Sequence, residues 1–188
     1  VLDIVRAENV SYFIPVPEAE LLLLDSHRVT LERAGVQLAL NNSRVLKVFS
    51  DKLETARFLE SVGLPSPKTM PLSSLKAEDV SFPAIVKSKS SCGSKRVWRV
   101  ENMEDLNFLR RKDDGSLIVQ EYLGHDEEEY TTGVFSDGSH VSSITFRRKI
   151  GYGGLSREAV LSEVPFLEDL AHKVASAVQL QGSINIQS

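Results

Sequence analysis

Asp137-Gly138 separates two runs of strand-forming residues, Glu129 to Phe135 and His140 to Arg147. Glycine at the second turn position accepts the positive φ that a right-twisted hairpin demands, so the dipeptide predicts two antiparallel strands. Around that hairpin the chain keeps alternating. Ala84 to Lys87, Val97 to Val100 and Leu117 to Tyr122 read as strands, and Met103 to Arg111 as a helix. The pattern is mixed α+β.

Helix boundaries are marked by their caps. Asp51 with Glu54 three residues later opens an apolar series of Leu53, Ala56, Leu59 and Val62, which Gly63 and Pro65 close. Pro165 to Leu180 is the last helix, with Phe166, Leu167, Leu170, Ala171, Val174 and Val178 at helical spacing before the strand Ile184 to Gln187. Near the start, Tyr12 to Ile14 reads as a short buried strand, Pro17 to Gly35 as one helix, and Val36 to Leu40 as a second strand ended by Asn41-Asn42-Ser43. That order predicts an open α/β unit over 1–45, followed by a second region over 46–188.

With 188 residues the chain exceeds the roughly 150 of a typical domain, enough for a real core. Its 22 basic and 26 acidic residues sum to −4, and neither sign forms the block that a nucleic-acid or lipid-binding arm would need. No apolar run approaches the ~20 residues of a membrane span. A lone cysteine, Cys92, excludes an internal disulfide or a Cys-rich zinc cage. A soluble, cytoplasmic protein is expected, with no nucleic-acid or membrane partner and an oligomeric state that the residues leave open. Because it opens on Val1 and stops directly after a strand-like run, the chain is also expected to be a piece of a longer one.

Chemistry concentrates at Phe82-Pro83-Ala84-Ile85-Val86-Lys87, a strand ending in lysine, and at the small polar loop Ser88 to Lys95 that follows. Small loop residues let backbone N–H groups approach phosphate oxygens, and a lysine leaving the strand can neutralise their charge. Taken alone, the same segment also suits a solvated hairpin with snorkelling lysines. His27, His125, His140 and His172 lack metal-ligand spacing and read as structural or exposed. Cys92 reads as an incidental loop thiol, and Trp98 and the eight phenylalanines as core.

Several segments occur in an order that resembles the ATP-grasp superfamily over most of the chain. Asp51-Lys52, a helix and Gly63-Leu64-Pro65-Ser66-Pro67-Lys68-Thr69 are similar to the family's entry segment, and the resemblance implies that Lys52 contacts nucleotide phosphate. Phe82 to Lys87 resembles its lysine strand and the following loop its phosphate cover, implying that Lys87, Ser90, Ser91, Gly93, Ser94 and Lys95 bind ATP. Val119-Gln120-Glu121-Tyr122-Leu123-Gly124 is similar to the adenine-reading linker, which assigns Glu121, Tyr122 and Leu123. In Glu127-Glu128-Glu129-Tyr130-Thr131 the resemblance makes Glu129 the acceptor for ribose hydroxyls.

Arg147-Arg148-Lys149 and the glycine-rich segment after it resemble the family's basic strand beside the transferred phosphoryl group, so Arg147 or Arg148 is expected to act in catalysis. Gly182-Ser183-Ile184-Asn185-Ile186-Gln187 resembles a strand of the carbamoyl phosphate synthetase large-subunit branch, where the glutamine reaches magnesium. The family's paired Glu and Asn metal ligands belong to a strand beyond Gln187, and Gly133 stands where many relatives carry an acid.

The resemblance implies an α+β ATP-grasp core preceded by the C-terminal part of a Rossmann-like α/β domain. It implies ATP and Mg2+ as cofactors and a ligase that joins a small carboxylate or bicarbonate to an amine or ammonia through an acyl phosphate. A nucleotide-binding or regulatory module without the chemistry is the alternative, and an α/β interaction domain with no nucleotide site is the third.

Overall fold

The computed structural model describes residues 1–90, 96–124, 129–151 and 156–188. It contains three packed regions. In the first, α1 (Leu2–Ala7), α2 (Glu18–Ser26) and α3 (Arg28–Arg33) surround the parallel pair β1 (Tyr12–Phe13) and β2 (Gln37–Leu38). Val5, Leu24, Leu31 and Val36 form its small core.

Two expectations for this region change. The helix expected from Pro17 to Gly35 breaks at His27, whose φ of −111° and ψ of 8° leave the helical region. There the Ser26 hydroxyl donates to the Leu23 carbonyl at 2.7 Å and His27 Nδ1 lies 3.1 Å from the same oxygen, so side chains compete for the group that would continue the ladder. The first strand is only partly buried: Tyr12 is 66% exposed, while Phe13 is half-buried against the small core. A two-strand sheet leaves most of each strand without a covering neighbour.

Two short helices lead into the second region. Asn42, expected to end a strand, instead caps α4 (Ser43–Phe49) by accepting from Val45 N at 3.0 Å. The next helix, α5 (Lys52–Ser61), starts as expected: Asp51 Oδ1 accepts from Leu53 N at 2.8 Å, and Gly63 follows the helix with a φ of +69°.

The first four-stranded sheet has the antiparallel order β3 (Thr69–Pro71), β6 (Leu117–Glu121), β4 (Ala84–Ser88), β5 (Val97–Val100). Strand side chains alternate between faces. Ala84, Val86, Val100, Leu117 and Val119 point to one face and pack with Leu72, Leu75 and with Leu106 and Leu109 of α6 (Met103–Arg110). The opposite face carries Ile85, Lys87, Arg99, Ile118, Gln120 and Thr69, as the pairing register requires. Trp98 is 36% exposed rather than core.

A second antiparallel sheet follows in the order β10 (Gly182–Gln187), β7 (Glu129–Ser136), β8 (Val141–Ile150), β9 (Ser156–Leu161). The expected hairpin joins β7 to β8; Asp137 Oδ1 accepts from Ser139 N and His140 N at 2.7 Å each, and Gly138 has a φ of +97°. One face packs Val134, Ile184 and Ile186 against Ala171, Ala175 and Val178 of α7 (Pro165–Val178) and against Val45. Arg157 lies in β9, an edge strand whose six residues are all exposed and therefore carry no apolar alternation.

Helix α5 connects the two sheets. Lys52 N donates to the Lys89 carbonyl, just past β4, at 2.9 Å, while Phe58 packs into the core of the second sheet and meets Phe49 edge-on at 6.2 Å between ring centres.

Candidate nucleotide site

Lys87 occupies a half-buried position on the open face of the first sheet, between Val97 and Ile118 on the flanking strands. Its Nζ donates to Gln120 Oε1 at 2.6 Å. Burial, and then the charge of Lys52, lower its pKa from 10.5 to about 8. The Lys52–Lys89 backbone bond fixes the first turn of α5 beside the β4 exit, so two expected phosphate-binding lysines stand close enough for one to act on the other. Like charges held together across a partly dry face favour an anion between them.

The loop residues after this strand divide. Ser90 is exposed in the turn after Lys89. Ser91, Gly93, Ser94 and Lys95, together with Cys92 and His125, lie outside the described residues.

At the end of β6, Glu121 is tied to the segment entering β3. Its Oε1 accepts from Lys68 N at 2.9 Å, and its own N–H donates to Lys68 O at 3.0 Å. The carboxylate thus extends the β3–β6 pairing past the end of β3. Tyr122 stacks under the Arg99 guanidinium, 4.6 Å from its ring centre, and Leu123 is 70% exposed beyond it. An exposed apolar side chain and a cation-covered ring at a strand exit can present a flat surface to a planar ring.

On the second sheet, alternation sorts the remaining candidates. Glu129 pairs with Arg148, and Gln187 pairs with Thr131, so these four side chains share the face away from α7. Arg148 Nη2 donates to Glu129 Oε2 at 3.3 Å and Nη1 to Ser156 Oγ at 3.4 Å. Its side chain is only 10% exposed, and its buried Nε has no partner among the described residues. Arg147 lies on the opposite face, opposite Tyr130 and Val160. Of the two arginines, Arg148 is the one brought together with Glu129 and Gln187.

Asn185, part of the Gly182 to Gln187 motif, lies on that same face, where its Oδ1 accepts from Thr131 Oγ1 at 2.6 Å. Gly133, between Asn185 and Ile144, leaves the face bare at the centre of β7. Gln120 was missed as a site residue, although a polar residue breaking the apolar run Leu117 to Val119 signalled a face with something to bind. Among the described histidines, His172 Nε2 lies 3.5 Å from Ser143 Oγ and His140 is an exposed partner of Asp137, as expected of structural or surface groups. No described helix is long and apolar enough to cross a membrane.

Comparison with known proteins places the chain in a family. The chain is 23% identical over 175 residues to the arginine-specific large chain of carbamoyl phosphate synthase from Bacillus subtilis, covering 84% of this chain and 17% of that one. It is 23% identical over 186 residues to the carbamoyl phosphate synthase large chain of Pyrococcus furiosus, again 17% of that chain. The described protein therefore spans about one-sixth of the length of these relatives. In three dimensions it matches the biotin carboxylase domain of Hydrogenobacter thermophilus 2-oxoglutarate carboxylase, solved with MgADP and bicarbonate, with a TM-score of 0.81 at 14% identity, over 99% of this chain and 46% of that one. An L-amino acid ligase from Bacillus licheniformis matches with a TM-score of 0.72 at 18% identity, over 99% and 48%. These likenesses show the fold, and the family model for the ATP-grasp domain matches residues 49–186. The chain belongs to the ATP-grasp family.

Proposed function

We propose that this chain is the ATP-binding region of a ligase that activates a small carboxylate or bicarbonate as an acyl phosphate and passes it to an amine or ammonia. The observation that carries the proposal is the Lys52–Lys87 pair: two cations held at the β4 exit of an ATP-grasp domain, one of them with its proton affinity already lowered. In this reading residues 1–45 are the end of a preceding α/β domain and 46–188 the nucleotide domain.

Phosphoryl transfer asks a protein for position and charge more than for covalent chemistry. Lys52, Lys87 and the 90–95 loop would hold the phosphates, and Glu121, Tyr122 and Leu123 would seat the adenine. Glu129 would accept from ribose hydroxyls. Arg148 would face the phosphoryl group as a carboxylate oxygen attacks phosphorus and ADP leaves; the amine then displaces phosphate from the acyl carbon. The Arg148 Nε proton, buried and without a partner among the described residues, would be a donor in reserve for that passage.

Magnesium fits one residue on the face of the second sheet away from α7: Gln187 offers a neutral amide oxygen, a hard donor of the kind this ion takes alongside phosphate oxygens and water. When bound it would neutralise phosphate charge. A second reading keeps ATP binding without transfer, favoured by the bare position at Gly133 on the same face.

Thermal unfolding with and without excess MgATP tests the site, with GTP as the competing nucleotide and Lys87→Ala as the control. Ligand at ~100 times Kd adds about 2.7 kcal/mol, roughly 5 to 10 °C for a chain of this size. An ATP-specific shift lost in Lys87→Ala supports the nucleotide site, and no shift in the wild type overturns it. ADP release stimulated by bicarbonate or a carboxylate panel separates the ligase from the silent module.

A further inference from the structure

Lys87 belongs to a hydrogen-bonded chain that runs across three strands. Its Nζ donates to Gln120 Oε1 at 2.6 Å, Gln120 Nε2 donates to Thr69 Oγ1 at 2.8 Å, and the Thr69 hydroxyl donates to the Pro67 carbonyl at 2.8 Å. The polarity of the chain is forced. A carbonyl only accepts, so the Thr69 proton is committed to Pro67; the hydroxyl lone pairs then take the amide N–H, and the amide must turn its oxygen toward β4. Thr69 and Gln120 are directly paired in register, with Ile85 next on β4 and Lys87 one step further along the same face.

We propose that Gln120 is a positioning residue for the nucleotide site: it holds the Lys87 ammonium at one place on the open face while leaving its positive charge uncancelled. The proposal rests on the nucleotide reading of Lys87 given above. The side-chain type is the argument. A carboxylate at 120 would hold Lys87 equally well but cancel its charge, so that an arriving phosphate would have to compete for it. An aliphatic side chain would leave a half-buried ammonium without its acceptor. An amide supplies the acceptor without the charge, provided that its oxygen faces the lysine, and Thr69 ensures that it does.

The surroundings make this hold necessary. Val97 and Ile118, directly opposite Lys87 on both flanking strands, offer no polar atom on their side chains. The charge that acts on it is that of Lys52, in the first turn of α5; Lys89, two residues along the chain, and Arg99, one row away on β5, are cationic as well. Burial and Lys52 both push the Lys87 proton off, and the Gln120 oxygen opposes them by accepting from the charged form.

The test is the titration of Lys87 itself, followed through its side-chain carbon and proton resonances in the 188-residue chain, with Lys87→Arg to assign the signal. Gln120→Leu is expected to move the midpoint down by about one pH unit and Gln120→Glu to move it up by about as much. Thr69→Val is expected to follow Gln120→Leu with a smaller shift. MgATP affinity, measured by calorimetry at pH 7, is expected to fall about tenfold in both Gln120 variants, for opposite electrostatic reasons.

A general loss of packing would weaken binding without splitting the midpoints in opposite directions. A midpoint that stays within about 0.2 unit in both Gln120→Leu and Gln120→Glu overturns the proposal. Should Gln120→Leu fail to fold, Gln120→Glu keeps the shape of the side chain and carries the same test with Thr69→Val. Absence of MgATP binding by the wild-type chain overturns the phosphate role together with the proposed function, while the titrations decide separately whether Gln120 holds the ammonium.

Discussion

Arg148 and Glu129 face one another across directly paired positions of β8 and β7, joined at 3.3 Å, with the arginine 10% exposed and the glutamate 42%. The asymmetry decides what each loses. Removing Glu129 strands a nearly buried guanidinium whose Nε lacks a partner among the described residues, whereas removing Arg148 leaves a carboxylate that water can reach. A buried pair broken on one side costs about 3–5 kcal/mol. Solvent access to Glu129 discounts this toward about 1–2 kcal/mol. Glu129→Gln is therefore expected to destabilise the chain more than Arg148→Met does. Urea unfolding of both variants and the double variant measures the coupling, and equal single costs would contradict the burial argument.

The Lys87 proton gives the fold a pH dependence of definite sign. Its pKa is lowered to about 8 in the folded chain from 10.5, so between those values the unfolded chain binds the extra proton and stability rises with pH. Below the folded value the full cost of holding the ammonium is present. The gain across the window has an upper limit of about 3 kcal/mol. Subtracting the unfolding curve of Lys87→Met from that of the wild type, measured at several pH values from 7 to 10, is expected to leave this rise. A flat difference would mean that Lys87 is solvated as an ordinary surface lysine.

How much of this is legible in the sequence depends on whether the signal is local. The cap of α5 and the Asp137-Gly138 turn are decided by two or three adjacent residues, and both formed as read. The break at His27 was hidden because the apolar side of Pro17 to Gly35 continues through it, while the competition for the Leu23 carbonyl depends on side-chain rotamers. Strand β9 left no trace since an exposed edge strand needs no alternation. For the site, order along the chain pointed to Lys52, Lys87, Glu129, Arg148 and Gln187, yet which of them share a face follows from register. Arg147 and Arg148 are adjacent in sequence and lie on opposite faces of one sheet. Gln120 gains its meaning only from Thr69, which lies 51 residues earlier.

Asp51 separates the stability of α5 from its contact with the nucleotide strand. Its carboxylate accepts from Leu53 N at 2.8 Å and Glu54 N at 3.4 Å, while the link from Lys52 to Lys89 is made by backbone atoms alone. Asp51→Ala is expected to cost about 1 kcal/mol, the usual worth of such a cap, which lowers Tm by about 2–4 °C. Asp51→Asn, which keeps an acceptor at the same atom, is expected to recover most of it. If both variants cost the same, the carboxylate charge rather than the hydrogen bond stabilises the helix start.

Gly182 opens β10, the strand that carries Gln187, and two independent constraints meet there. Its φ of +124° lies where side chains are strained, and a Cβ would run into Asn41 Oδ1. Asn41 cannot simply withdraw, because its Nδ2 donates to the Ser183 carbonyl at 2.7 Å and its own carbonyl accepts from Arg28 at 2.5 Å. Gly182→Ala is thus expected to cost about 2–4 kcal/mol, combining backbone strain with the collision. Adding Asn41→Gly removes the colliding oxygen and leaves the strain, so the double variant is expected to regain part of the loss relative to Asn41→Gly alone, a non-additivity of about 1–2 kcal/mol. Chemical denaturation of the four chains measures that coupling. Additive costs would mean that Asn41 turns away freely and that the first region places no constraint on the start of the Gln187 strand.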